Sequence, residues 1–128
     1  MKAEVKTLND LFVHELKDLH NAEKQTTKAL PALTQAATHP DLKVALEEHL
    51  KQTEEHVTRV ERICEMYDIK PGGSKCRAME GLIEEGKHTL ADMEDDDVRD
   101  AAIIASAQRI EHYEMAGYGC ARTFAQML

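Results

Sequence analysis

The sequence predicts an all-α helical bundle that forms a single domain over residues 1–128. Hydrophobic residues make up 42% of the chain and charged residues 31%, with no Trp, three Pro and six Gly. This composition is rich in helix formers and poor in turn and strand formers. A chain of 128 residues is long enough for one modest core. Apolar residues also recur at helical spacing in four segments that clear turn signals separate.

The first two segments are long and joined by a tight turn. Thr7 is a suitable N-cap for a first helix that runs over residues 8–37. The sequence THPD follows, and Pro40 within it cannot continue the helix. A second helix is predicted over residues 41–68. Long helices joined by so short a turn are antiparallel neighbours, which favours a bundle.

The last two segments differ in length. The loop KPGGSK ends the second helix, and a short third helix, weakened by Gly81 and Gly86, is predicted over residues 75–93. The acidic turn EDDD closes the third helix and caps a fourth, predicted from Val98 to the C-terminus. The apolar residues of the third helix are Met79, Leu82, Ile83, Leu90 and Met93.

Charge and cysteine content exclude several classes of function. The net charge of −8 gives no electrostatic reason to bind nucleic acid or an anionic membrane, but it leaves carboxylates available for hard cations. The N-terminal sequence MKAEVKTLND lacks an apolar signal region, and no apolar run approaches the length of a membrane span. Three widely spaced cysteines form neither a disulfide framework nor a zinc signature. We therefore expect a cytoplasmic protein with reduced thiols.

The fourth helix places a carboxylate inside its apolar face. At about 100° per residue, Glu114 lies at the centre of this face, with Glu111 and Tyr118 toward one side. His112 points the opposite way, to solvent. The apolar residues of this face are Ile103, Ala107, Ile110, Gly117 and Ala121.

The first two helices repeat this anomaly. Glu15 and Glu23 fall within the apolar face of the first helix, and His49, Thr53 and His56 interrupt that of the second. Folding the chain about THPD places Glu23 level with His56, since each is about sixteen residues from the turn. The first face comprises Leu8, Leu11, Phe12, Leu19, Leu30 and Leu33, and the second Leu42, Ala45, Leu46, Val57, Val60, Ile63 and Cys64.

Inward carboxylates and imidazoles on three helices indicate a metal site. A buried ionised carboxylate costs several kcal/mol unless it is paired or bound to a cation, and a divalent metal reconciles several such groups at once. The predicted ligands are Glu23, His49, His56, Glu111 and Glu114. A structural role stays open for Glu114, as the partner of a His or Arg. It also stays open for His49 and His56, as core histidines bonded to Thr53 or to a carboxylate.

Three other polar residues are interpreted as surface groups. Glu15 fits a partly exposed position at the edge of its face. The sequence EGKH, residues 85–88, is the one Glu-x-x-His match, but it lies on the polar side of the third helix. We therefore expect His88 and His112 to be dispensable for metal binding.

Four segments resemble the YciE/YciF-type family of ferritin-like, stress-associated bacterial proteins: LNDLFVHELKDLHNAEKQ, KALP, CRAMEGLIEEG and VRDAAIIASAQRIEHYEMAGYG. The resemblance covers essentially the whole chain. It implies a ferritin-like bundle with a short bridging helix and iron or a similar metal at mid-bundle, with Glu23, Glu111 and Glu114 as the matching positions. The wider ferritin-like pattern places Glu three residues before His in the second helix, where this chain has Thr53 before His56 and Leu46 before His49.

A second departure concerns the last helix of the family. Its members continue past AQML with a further long helix that bears acidic residues, and this sequence stops at Leu128. Either the sequence is truncated, or another subunit supplies the missing wall of the bundle. If the chain ends at Leu128, an apolar groove would run along the bundle, and covering it would favour association. We therefore predict a homodimer or higher homo-oligomer, most simply two-fold symmetric, with the first and fourth helices in the interface. A second chain could then complete the metal site.

Two functions from different classes fit these residues. The first is an iron-binding protein in which a di-iron centre would oxidise ferrous iron with dioxygen or peroxide. Bridging carboxylates would hold the two cations about 3.5–4 Å apart, with Tyr118 as a nearby redox or hydrogen-bonding group. Manganese and zinc fit the same donors. The second is a non-catalytic helical interaction protein in which the buried polar residues only fix helix register.

Overall fold

The computed structural model describes residues 4–128 and contains four α-helices. They are α1 (Leu8–Ala36), α2 (Pro40–Met66), α3 (Arg77–Ala91) and α4 (Asp96–Met127). The predicted all-α class is confirmed, as is the order of two long helices, one short helix and a last long helix. The predicted helix ends differ from the observed ones by no more than two residues.

Side-chain caps fix where the long helices begin. At α1 the Thr7 hydroxyl accepts from the Asp10 amide at 3.0 Å and the Asp10 carboxylate accepts from the Thr7 amide at 3.1 Å, a reciprocal capping box. Pro40 occupies the first turn of α2, where its missing amide hydrogen costs nothing. Asp95, within the predicted acidic cap, accepts from the Val98 amide at 3.0 Å and starts α4.

Helix α1 lies at the centre of the bundle and contacts each of the other three helices. Its short turn to α2 makes those two helices antiparallel. It is also antiparallel to α4, because Leu19 lies near Gly117 whereas Leu30 packs with Ile103. Helix α3 bridges α1 and α4 on the remaining side. Three long helices therefore pass side by side through the middle of the bundle.

The core holds three apolar clusters, and two of them lie at the ends of the bundle with polar residues between them. The first comprises Phe12, Leu16, Leu19, Val60, Cys64 and Ala121, and the second Leu30, Leu33, Ala37, Leu46 and Ile103. The third lies beneath α3 and comprises Ala22, Cys76, Met79 and Ile110. Among the buried polar residues between the first two clusters, four are called the polar layer below: Glu23, Thr26, Thr53 and Glu114.

One detail of the predicted faces is wrong, because Ala45, predicted on the inward face of α2, is exposed. Helix α3 continues through Gly86, which is buried at the crossing with α4. A Cβ atom at Gly86 would collide with the Ser106 hydroxyl, so the glycine permits a close approach of the two helices.

A buried carboxylate of α4 joins the α1–α2 turn to the bundle. Asp100 accepts from the Thr38 amide at 2.8 Å, from the Thr38 hydroxyl at 2.7 Å and from the His39 amide at 3.0 Å. Next to it, Arg99 donates to the Ala36 carbonyl at 3.1 Å and so satisfies a carbonyl at the end of α1. These bonds fix the turn that sets the register between α1 and α2.

None of the helices within residues 4–128 is long and apolar enough to cross a bilayer. The predicted homo-oligomer stays a prediction, and sedimentation at micromolar concentration is the measurement that checks it.

The Asp100 bonds lead to a stability prediction. Replacing Asp100 with Ala leaves the Thr38 and His39 amides without their acceptor, so the melting temperature should fall. Hydrogen bonds from Thr38 hold the pKa of Asp100 below its ordinary value of 3.8. Its stabilisation is therefore present above that ordinary value and is lost as the pH falls through the lowered pKa.

Asp97→Ala is the matched control, because Asp97 is an exposed carboxylate near the start of the same helix. It should change the free energy of unfolding by no more than about 0.5 kcal/mol. Equal melting temperatures for the two variants would contradict the role given to Asp100.

Candidate metal centre

At the level of the polar layer, each long helix contributes one side chain that could bind a metal ion. Glu23 comes from α1, His56 from α2 and Glu114 from α4, and each offers one ligand atom within 4.8 Å of the other two. His56 Nδ1 lies 2.9 Å from Glu23 Oε2, as the predicted register of α1 and α2 required. These three residues are called the triad below. The Glu23 side chain is fully buried, whereas one third of the His56 side chain is exposed.

The threonines of the polar layer do not serve the triad. The Thr26 hydroxyl donates to the Ala22 carbonyl at 2.9 Å, and the Thr53 hydroxyl donates to the His49 carbonyl at 2.8 Å. Each hydroxyl has a single hydrogen, so its donor capacity is used within its own helix. The carboxylates of the triad therefore receive no hydrogen bond from these two buried threonines.

Three buried polar atoms meet at the triad: Glu23 Oε1, Glu114 Oε1 and the Tyr118 hydroxyl. In the metal-free protein they can satisfy one another, because protonated Glu114 and the Tyr118 hydroxyl both bond to Glu23. Once that proton leaves, each buried atom without a partner costs about 1–3 kcal/mol. Their convergence at one point fits a cation, which satisfies several oxygens at once.

Burial also controls the protonation of the two carboxyl groups. It raises the pKa of Glu114 to about 8, and the nearby charge of Glu23 contributes to that rise. Burial raises the pKa of Glu23 as well, opposed by His56. Two carboxylates so close together in a dry environment cannot both be ionised cheaply. Near neutral pH the pair therefore holds a proton when no cation is bound.

Tyr118 is not a member of the triad but lies against one side of it. Its ring meets the His56 ring edge to face, with centroids 5.8 Å apart. Burial raises the pKa of its hydroxyl, and the charges of Glu23 and Glu114 add to that effect. Tyr118 thus stays a neutral phenol, and its ring restricts the orientation of His56.

The other two predicted ligands form a separate pair. His49 Nδ1 lies 3.8 Å from Glu111 Oε1, one helical turn from Glu114. Nearly half of the Glu111 side chain is exposed, and neither residue belongs to the triad. His88 and His112 are exposed, as predicted, and His112 Nδ1 lies 2.9 Å from the Gln108 carbonyl oxygen of its own helix.

The sequence reasoning missed a second buried polar network, beneath α3. The Cys76 thiol caps α3 by accepting from the Met79 amide at 3.4 Å. It also lies 3.2 Å from the Tyr113 hydroxyl, which donates to Asp18. The predicted third helix begins at residue 75 and so includes Cys76, and cysteine is not a common cap. This network docks the start of α3 onto α1 and α4.

Known proteins resemble this chain in both sequence and fold. The family described as Domain of unknown function (DUF892) matches residues 7–128. The chain belongs to this family. It is 43% identical to Protein YciF of Escherichia coli strain K12 over 125 residues, which cover 97% of this chain and 75% of YciF. The predicted relationship to YciF-type proteins is therefore confirmed.

Solved structures of relatives confirm the fold. The structure of YcfI from Rhodopseudomonas palustris matches with a TM-score of 0.95 and 39% identity, over 99% of this chain and 81% of YcfI. The crystal structure of the E. coli stress protein YciF matches with a TM-score of 0.91 and 43% identity, over 96% of this chain and 78% of YciF. The helical bundle with its short third helix is thus a DUF892 fold.

The raised pKa of Glu114 predicts how pH affects the metal-free protein. In the folded chain Glu114 keeps its proton up to about pH 8, whereas the ordinary pKa of a glutamate is 4.5. Its stabilisation is therefore complete below about pH 4.5 and is lost as the pH rises to about 8. One proton contributes at most about 1.4 kcal/mol per pH unit. The melting temperature should fall over this range, and Glu114→Gln should reduce the fall, because Gln does not titrate.

Glu111→Gln is the control for this measurement. It removes a carboxylate one turn away whose side chain is half-exposed, so the pH dependence should match that of the unmodified protein. An equal fall for the protein and the Glu114→Gln variant would show that Glu114 is not the titrating group.

Proposed function

We propose that this DUF892 protein binds one divalent transition-metal ion, preferentially iron, between Glu23, His56 and Glu114. One observation carries the proposal: three donor atoms from three different helices lie within 4.8 Å of one another. Two carboxylate oxygens, Glu23 Oε1 and Glu114 Oε1, are buried at the same point. Ferritin-like proteins place metal-binding carboxylates and histidines in the bundle core in this way.

Charge balance supports a divalent ion. When both carboxyl groups are ionised, the buried triad carries two negative charges, and a divalent cation neutralises them completely. The cation would replace the proton that Glu114 holds in the metal-free protein, so binding should tighten as the pH rises. Two oxygen donors and one imidazole nitrogen suit iron, manganese and zinc.

The donor set favours one ion per chain. A ferritin-like dinuclear site takes Glu-x-x-His pairs from its helices, but Thr53 stands where α2 would supply the glutamate. The Thr53 hydroxyl donates to its own backbone at 2.8 Å. A second ion would have only the His49–Glu111 pair, so a di-iron centre would need donors from a second chain.

The chemistry of the site would come from the metal, and iron supplies one-electron redox chemistry when bound. The protein holds the donors on three rigid helices and limits the access of water. Buried Glu23 contributes a permanent ligand, while partly exposed His56 lies on the solvent side of the triad. Oxidation of ferrous to ferric iron, with dioxygen or peroxide as the electron acceptor, is the reaction that this arrangement would support. YciF of E. coli is described as a stress protein, and we extend that association to this chain.

The alternative function uses the same residues without a metal. In a non-catalytic interaction protein, the ion pair between Glu23 and His56 at 2.9 Å would fix the register of α1 and α2. In that state Glu114 would keep its proton and bond to Glu23, as would the Tyr118 hydroxyl. In the metal-binding proposal a cation takes the place of the proton.

Metal analysis of protein purified without chelator tests the proposal. We expect up to one iron, manganese or zinc ion per chain, and anaerobic titration with ferrous iron should saturate at one. Glu23→Gln, His56→Gln and Glu114→Gln should each abolish binding, because each removes one of three ligands. The exposed histidines serve as controls, so His88→Ala and His112→Ala should retain full stoichiometry.

Two results would contradict metal binding at the triad. The first is unmodified protein that takes up no ion during titration. The second is full occupancy in all three triad variants, which would place the ion elsewhere.

A further inference from the structure

Helices α1 and α4 approach closely beside the triad, where α4 carries a glycine. A Cβ atom at Gly117 would lie 2.7 Å from Leu19 Cδ2, a separation shorter than any ordinary contact between carbon atoms. Leu19 is fully buried in the apolar cluster at this end of the bundle. A larger residue at position 117 would therefore force either the Leu19 side chain into a new conformation within a packed cluster or the α4 backbone away from α1.

This contact is directly next to the two carboxylates. Leu19 precedes Glu23 by four residues on α1, and Gly117 follows Glu114 by three residues on α4. Because the two helices are antiparallel, the Leu19–Gly117 contact lies about one helical turn, about 5.4 Å, from the Glu23–Glu114 pair along both helices. The spacing of the helices at Gly117 thus sets the spacing of the carboxylates.

Helix packing must hold the two carboxylates in place when the metal-free protein gives up the proton that the pair shares. Without that proton, like charges in a buried site repel each other until a cation binds. A cation needs both groups within reach of one point. If α1 and α4 moved apart, the affinity for the ion would therefore fall more than the stability that the apolar core provides.

From this geometry we propose that Gly117 is a positioning residue for the metal site: it permits the approach of α4 to Leu19 that holds Glu114 opposite Glu23. This inference rests on the proposed metal binding.

The chain provides two glycines for comparison. Gly119 lies on the same helix, is exposed, and a Cβ atom there would have no neighbour within 4 Å. Gly86 is a second close approach, since its Cβ would collide with the Ser106 hydroxyl. Ser106 is eight residues from Glu114, which is more than two helical turns. Gly86 thus tests packing strain away from the triad, and Gly119 tests the general effect of alanine in α4.

The experiment compares manganese affinity by calorimetry with melting temperature for three variants. Gly117→Ala should lower the affinity roughly tenfold, the scale seen when residues that support metal ligands are changed. Gly86→Ala should lower the melting temperature and leave the affinity unchanged. Gly119→Ala should leave the affinity unchanged and raise the melting temperature, because alanine favours a helix over glycine.

A compensating change provides the rescue. Leu19→Val removes the Cδ2 atom that the new methyl group would meet, while it keeps a branched apolar side chain in the cluster. The double variant Leu19→Val, Gly117→Ala should recover most of the lost affinity, even though Leu19→Val alone lowers the melting temperature. Recovery would identify the spacing of the helices, and not stability alone, as the cause.

The possible outcomes distinguish the positioning role from the function on which it rests. Wild-type affinity in Gly117→Ala, or an equal loss of affinity in Gly86→Ala, would overturn the positioning role while leaving the metal site intact. A Gly117→Ala loss that Leu19→Val does not restore would also overturn it. Protein that binds no manganese, iron or zinc in any form would overturn both proposals.

Discussion

Two carboxyl groups buried against each other are the constraint on which this bundle depends. Glu23 and Glu114 lie at the middle of a core that is otherwise closed by apolar clusters above and below, and His56 provides an imidazole partner 2.9 Å from Glu23. Burial raises the pKa of both carboxyl groups. The fold therefore tolerates this pair only with a proton, or with a cation as we propose, between its members. An apolar residue at either position would remove the free-energy cost of burying two carboxyl groups together. That the chain carries this cost indicates that the pair has a function.

Contacts outside the triad hold the three helices in the positions that bring its side chains together. Asp100 fixes the α1–α2 turn, and the α1–α2 register brings His56 to Glu23. The Tyr113 hydroxyl donates to Asp18 and so ties α4 to α1 on the other side. Apolar clusters at both ends of the bundle supply the favourable burial that offsets the polar layer. Apolar packing thus stabilises the ends of the bundle, and the candidate metal site lies between them.

Helical periodicity explains why much of this could be predicted from the sequence. The phase of each helix placed Glu23, His56 and Glu114 inward, and a short turn was enough to align the first two. Periodicity gives the face on which a residue lies but not its partner, so the sequence did not separate the triad from the His49–Glu111 pair. The close contacts between helices at Gly86 and Gly117 could not be predicted either. A glycine within a helix predicts only a less stable helix unless the neighbouring helix is known. Ala45 shows the same limit, since a small residue at the edge of a face fits either environment.

The crystal structure of protein soaked with manganese, measured with anomalous scattering, tests metal binding at the triad most directly. We expect one anomalous peak per chain at direct coordination distance from an oxygen of Glu23, an oxygen of Glu114 and a nitrogen of His56. A peak only at surface carboxylates would contradict a metal site at the centre of the bundle. So would a triad without a peak that keeps its 2.9 Å contact between His56 and Glu23 at saturating manganese.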